Sequence, residues 1–141
     1  MGDVIDIRAR VLVPGEATGN ALCSQLPLSF WGGVDPATGR IIDRRHDLVG
    51  ESVSGRILVF PEEKGSSTAS AVLVELARLG IAPAAILTSK PAPILVVGAL
   101  VAERLYGEVV PILLVERETL DAFRTGELLS VALDGHVLSC R

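Results

Sequence analysis

The sequence predicts one α/β domain, a β/β/α arrangement. A central parallel βαβαβ portion carries the helices, and the terminal strands form a second sheet layer. Three observations predict it. Short apolar runs at 56–60, 84–87 and 109–115 alternate with stretches of helical periodicity, the pattern of a parallel sheet with covering helices. Both ends of the chain are strand-like instead. Finally, 141 residues, 49% apolar and 21% charged, are about the commonest size of a single domain, so 1–141 is assigned to one.

Taken in order, Ile5, Ile7, Ala9, Val11 and Val13 alternate with Asp6, Arg8 and Arg10, which predicts one half-buried strand over 5–13. Pro14-Gly15 ends it, and a second short strand is expected over 20–26. From Pro27 to Gly55 regular patterning lapses except at Arg40 to Ile42. Some thirty irregular residues (~30) in so small a domain mark a functional loop or a surface for a partner. Arg56 to Phe60 reads as a buried strand. Gly65-Ser66-Ser67-Thr68 then leads into a helix to Leu79, with Val72, Leu73, Leu76 and Leu79 on one stripe and Glu75 and Arg78 on another. Gly80 stops that helix, with Pro83 just beyond. A strand over 84–87, an apolar helix within 94–106, a strand over 109–115 and a short helix around 119–123 follow. The chain finishes as a hairpin, Leu128 to Leu133 and His136 to Cys140 around Asp134-Gly135.

Composition excludes several classes. A net charge of −4 offers no basic surface for broad nucleic-acid or membrane binding. The longest nearly unbroken apolar run, 91–102, falls short of the ~20 residues that span a bilayer. Asp3, Asp6, Arg8 and Arg10 interrupt the place of an export signal, so a cytoplasmic location is expected. Two Cys (Cys23, Cys140) and two His (His46, His136) are too few for a self-contained four-cysteine cluster, so any metal draws most of its ligands from elsewhere. A single Asn, a single Gln and a strong preference for Arg over Lys are reported thermophile traits.

Gly65-Ser66-Ser67-Thr68 lies between a buried strand and a helix N-terminus, where free N–H groups and the helix dipole favour an anion. Such a place suits a carboxylate, a phosphate or a serine that has lost its proton. The plainer alternative is that Ser66 or Ser67 caps the helix. A Walker A loop is absent, because Lys64 precedes Gly65. A nucleophile elbow is incomplete, because Ala69 stands where its last glycine belongs. Asp134 and His136 have the chain order of a hydrolase triad but flank a tight turn. A second candidate is 29–39, where Gly32 and Gly33 permit close backbone approach, Asp35-Pro36 begins a turn, and Trp31 is either a core anchor or a contact residue. His46 and His136 are expected to be satisfied structural histidines. The charges of 43–47 are expected at the surface or an interface, and Glu62 and Glu63 to be exposed.

Ser29 to Asp43, SFWGGVDPATGRIID, and Lys64 to Gly80, KGSSTASAVLVELARLG, resemble the small subunit of the aconitase X family. The resemblance continues through 81–87, 96–107 and 110–115 and covers most of the chain from Pro27 onward. It implies an aconitase-like swivelling β/β/α domain that works with a large aconitase-like subunit. It also implies a hydro-lyase reaction that removes water from a small hydroxy acid, with a [4Fe-4S] iron–sulfur cluster on the large subunit and no metal held here. By the same resemblance Ser66 is the catalytic proton acceptor, and Gly65, Ser67 and Thr68 are substrate-binding. From the pattern of their own loop, Trp31, Gly32, Gly33 and Asp35 are candidate substrate or subunit contacts. Thr68 departs from aconitase and isopropylmalate isomerase, which usually carry Arg there, and this argues against citrate-like tricarboxylates. Two activities compete within the family: dehydration of (R)-5-phosphomevalonate in the archaeal mevalonate route, and of cis-3-hydroxy-L-proline. The amide-poor, Arg-rich composition favours the first. A non-catalytic docking or carrier module of the same fold is the alternative of another class.

Overall fold

The structure is a computed structural model that describes residues 4–139. Cys140, at the end of the expected last strand, lies outside the described residues. The strands are β1 (Asp6–Arg8), β2 (Arg10–Val13), β3 (Ala17–Cys23), β4 (Ile57–Val59), β5 (Ala85–Thr88), β6 (Ile112–Leu114), β7 (Leu128–Val131) and β8 (His136–Ser139). The helices are the single turn α1 (Phe30–Gly33), α2 (Ala69–Arg78), α3 (Pro93–Tyr106) and the short α4 (Arg117–Leu120).

The strands run in the order β1-β8-β7-β3-β4-β5-β6-β2. From β3 through β6 all neighbours are parallel, and β1, β8, β7 and the outer half of β3 pair antiparallel. The two layers expected from the sequence are therefore present. Their connection was not foreseen. The predicted strand over 5–13 is two strands: β1 pairs with β8 at one end of the sheet order, and β2 pairs with β6 at the other. Only Ala9 separates them, and its N–H donates to the Gly135 carbonyl (2.8 Å). One extended segment thus carries both edges of the sheet, which curls almost to closure. The period-two alternation continues across Ala9, so no change of partner shows in the pattern. β3 bridges the layers in the same way, with Ala17–Asn20 on β7 and Ala21–Cys23 on β4.

Each layer boundary is a core. Ala21, Ile57, Val59, Ala85, Leu87 and Leu113 point between the two sheets. Leu22, Leu58, Ile86 and Ile112 point the other way, onto Val72, Leu73, Leu76 and Leu95 of the helices. Burial on both faces is why β4 and β5 read as unbroken apolar runs.

Boundaries moved for identifiable reasons. β6 begins only at Ile112 because Pro111 has no N–H for the ladder. β3 starts three residues earlier than expected, on its half-exposed side, and α4 is one turn over 117–120. α2 buries Ala69, Val72, Leu73, Leu76 and Ala77, while Leu79 falls past its end and is 43% exposed. Gly80, at φ +74°, closes it with N–H donation to the Ala77 carbonyl (3.0 Å). α3 ends at the left-handed Gly107. The long irregular stretch is a loop, as expected, yet it is pinned. Val34, Ile41, Leu48 and Val53 reach the helix-side core, and Val34–Ile41 and Arg40–Ser52 form short bridges.

Candidate active site

The two stretches singled out in the sequence meet in space. Leu28 N–H donates to the Glu62 carbonyl (3.1 Å) and Lys64 N–H to the Leu28 carbonyl (3.2 Å), a parallel bridge between the segments that leave β3 and β4. Next along, a Cβ on Gly65 would overlap the Ser29 hydroxyl, and the backbone there has φ +94°. Glycine alone meets both demands. Ser29 Oγ in turn donates to the Trp31 carbonyl (2.8 Å), which holds the Trp31-Gly32-Gly33 turn beside the junction. Trp31 is not a core anchor: it is 56% exposed, and Phe30 fills the core in its place. Gly32 is at φ +79° with open space around it, and Gly33 is buried against Leu28. Asp35 serves its own turn, with Oδ1 accepting Ala37 N–H (2.9 Å) and its carbonyl accepting Gly39 N–H (2.8 Å). Among the described residues it makes no bond to the junction.

Ser66 is half-buried, and Gly65, Ser67 and Thr68 are exposed. Ser66 Oγ accepts the Thr68 N–H (3.1 Å) and donates its own proton to Thr68 Oγ1 (3.0 Å). The capping alternative therefore holds in part: the Ser66 hydroxyl does satisfy a free amide at the start of α2. Thr68 at the cap position itself makes no side-chain cap bond. Among the described residues, the N–H groups of Gly65, Ser66 and Ser67 donate to no acceptor. Successive free amides after a left-handed glycine form a concavity for an anion, and the positive end of α2 adds to it. Capping and anion binding are the same geometry here.

Magnitudes rank the contributions. A charge near a helix terminus is stabilised by about 0.3–1 kcal/mol. One hydrogen bond to a charged oxygen contributes about 1.5–3 kcal/mol. Thr68 offers two such donors to a Ser66 alkoxide. Its N–H already points at Oγ, and its hydroxyl can turn to donate once Ser66 has lost its proton.

One supporting residue escaped the sequence reading. Glu63 is not free at the surface: its carboxylate accepts Ile94 N–H (3.1 Å) and the more distant Leu95 N–H (3.4 Å), capping α3. Burial pushes its carboxyl above the ordinary range, and the bonds from Leu95 and Ile94 only partly offset that. Ser70 Oγ donates to the Ile94 carbonyl (2.6 Å), so both helices are tied to the strand-to-helix junction. Pro93 announces the start of α3, but nothing in the local pattern names its partner thirty-one positions away.

The other candidates are structural. His136 Nδ1 pairs with Asp134 (2.8 Å) inside the β7–β8 hairpin, while among the described residues the Ser66 hydroxyl bonds only Thr68, so no hydrolase triad forms among them. His46 is buried, and its Nδ1 accepts the Leu48 N–H (3.1 Å). Ser24 beside it donates to Asp47 (2.6 Å) and is 5% exposed, out of reach of a substrate. Cys23 is half-buried, and burial pushes its thiol up to about 11, which makes it a poor metal ligand at neutral pH. Among the described residues no three His, Cys, Asp or Glu side chains stand together as a metal-binding group. None of the described helices is long and apolar enough to cross a membrane. A cleft of about 400 Å³ lined by Arg8, Arg10, Ser89 and Glu116 lies at the C-terminal end of β6 and includes none of the junction residues.

A curled two-layer sheet under two helices, presenting a serine between a left-handed glycine and a helix start, defines a swivelling β/β/α domain that offers its serine at an open face. The chain belongs to the aconitase X swivel-domain family, whose model matches residues 6–140. It is 52% identical over 103 residues to cis-3-hydroxy-L-proline dehydratase of Pseudomonas aeruginosa, a match that covers 73% of this chain but spans only 18% of that enzyme. It is 36% identical over 128 residues to the phosphomevalonate dehydratase small subunit of Methanosarcina acetivorans, covering 90% of this chain and 85% of that subunit. A crystal structure of Thermococcus kodakaraensis aconitase X in its holo form superposes with a TM-score of 0.87 at 33% identity, covering 97% and 99% of the two chains. The family relatives are named as dehydratases, which are hydro-lyases, and the term small subunit implies a larger partner.

Proposed function

We propose that this chain supplies the proton-accepting half of a two-part hydro-lyase that dehydrates (R)-5-phosphomevalonate to trans-anhydromevalonate 5-phosphate. Ser66 Oγ takes the proton from the carbon beside the substrate carboxylate. The electron pair of that C–H bond forms the alkene and the hydroxyl on the next carbon leaves; the proton now on Ser66 Oγ then passes to the departed hydroxide, so that water is released and the alkoxide restored. In this reading the partner would hold the iron–sulfur cluster that the family resemblance implies, and the cluster would supply a Lewis acid for the leaving hydroxyl. The observation that carries the proposal is the pair of Thr68 donors around Ser66 Oγ, which makes an alkoxide tenable, with the free amides of Gly65, Ser66 and Ser67 beside it for the substrate carboxylate. The match to archaeal small subunits over nearly their whole length supports the substrate.

A second reading, dehydration of cis-3-hydroxy-L-proline, is favoured by the 52% identity with the Pseudomonas enzyme. The test is an assay of this chain combined with its partner subunit on both acids, following the alkene proton by NMR. Turnover of phosphomevalonate, with hydroxyproline at least ~100-fold slower, is the expected result. The reverse order of rates would replace the first reading by the second.

A further inference from the structure

Two features are left unused by the chemistry of Ser66: Lys64, and the charged turn at 43–47. The fold brings them together. A cleft of about 310 Å³ is lined by Leu26, Pro27, Asp43, Arg45, His46 and Lys64, next to the Gly65-Ser66 junction along the chain. Two cations face one carboxylate there. The Asp43 carboxylate is partly engaged, with Oδ1 accepting the Arg45 N–H (3.0 Å) and standing 3.9 Å from Arg45 Nε. The Arg45 side chain is 96% exposed, and among the described residues no carboxylate lies within ion-pair distance of the Lys64 ammonium. The Lys64 backbone is anchored, because its N–H is bonded to the Leu28 carbonyl and its successor Gly65 is wedged against Ser29. His46, 2% exposed in its side chain, forms the rigid back of the cleft.

We infer that this cleft seats the phosphate of the substrate, with Lys64 as point charge and Arg45 as fork. The inference rests on the proposed phosphomevalonate reaction and adds to it the group that selects the phosphorylated acid. A phosphate dianion is held by charge-assisted hydrogen bonds, and Lys and Arg are the side chains suited to it. The two anionic ends of the substrate then have separate seats: the carboxylate at the free amides beside Ser66, and the phosphate at the two cations of the cleft that Lys64 lines. The same cations disfavour the ring ammonium of a hydroxyproline, so the cleft discriminates between the two candidate acids.

Two experiments test it. In the first, this chain is titrated with inorganic phosphate and followed by amide NMR. Saturable shifts centred on Arg45, His46 and Lys64, lost in Lys64→Gln, are expected. Shifts elsewhere, or unchanged binding by Lys64→Gln, would overturn the inference. In the second, Lys64→Gln and Arg45→Gln are assayed in the complex with the partner subunit. A KM for phosphomevalonate raised at least ~10-fold with kcat within ~3-fold is expected. Arg117→Gln, remote and paired with Asp121, should leave both constants unchanged. An unchanged KM in the Lys64 and Arg45 variants would also overturn it. If the wild-type complex does not turn over phosphomevalonate, the proposed reaction fails, and the phosphate titration still decides the cleft.

Discussion

At Ser66 the proton is shared with Thr68, and the Thr68 amide points back at the same oxygen. A serine hydroxyl accepts a carbon-bound proton only as its alkoxide, which is scarce in water, so what matters is how many donors meet that anion without rearrangement. Here one is already in place and the second needs only a hydroxyl rotation. Gly65-Ser66-Ser67-Thr68 was legible as a candidate because free amides and a helix dipole meet between a buried strand and a helix, with capping as the plainer alternative. Its supporting contacts were not, since Ser29 reaches Gly65 only through the meeting of two loops. Cys23 gives a prediction at the same scale. Burial favours the neutral thiol and raises its pKa to about 11, so the thiolate that reacts with alkylating reagents is scarce below that pH. At pH 8 the thiolate fraction is on the order of one in a thousand. Iodoacetamide labelling of Cys23, read by peptide mapping, should therefore be slow at pH 8 and accelerate steadily as pH rises toward 11. Labelling as fast as that of a free cysteine would contradict the burial.

The helices owe their placement to close contacts that their own patterns do not reveal. Gly98 faces α2 so tightly that a Cβ would stand 2.9 Å from the Ser70 carbonyl oxygen and 3.3 Å from Leu73 Cβ. Helix propensity alone makes Gly98→Ala stabilising by about 1 kcal/mol. Overpacking against backbone costs about 1–3 kcal/mol and decides the sign. Thermal denaturation should show Gly98→Ala melting a few degrees lower (about 3–5 °C for each kcal/mol lost); a raised Tm would mean the helices part freely. Glu63→Ala removes the carboxylate that caps α3 and should cost about 1–2 kcal/mol by the same measurement. An unchanged midpoint would show that water replaces the cap. The positions of α2 and α3 were readable from apolar spacing and, for the end of α2, from Gly80; the single turn α1 was not. Strand limits were not, because a ladder needs partners: β6 shortens at Pro111, and the strand over 5–13 divides at Ala9 where its neighbour changes.

For the whole molecule, the curled sheet has a functional consequence. Its parallel strands are buried on both faces, so the chain ends of β3 and β4 have one open direction, and their loops meet there. That convergence puts Trp31, Gly65, Ser66 and Lys64 at one exposed face of a rigid domain. The layered architecture could be read from alternating apolar runs and from the terminal hairpin. The near-closure could not, since it depends on one segment serving two edges. The central claim is that this face contributes the base of a shared active site. The most direct test is the turnover of the complex with the partner subunit carrying Ser66→Ala. The account predicts a fall in kcat of at least ~10²-fold with assembly intact. Near-normal turnover in the Ser66→Ala complex would contradict it and leave the domain a docking module.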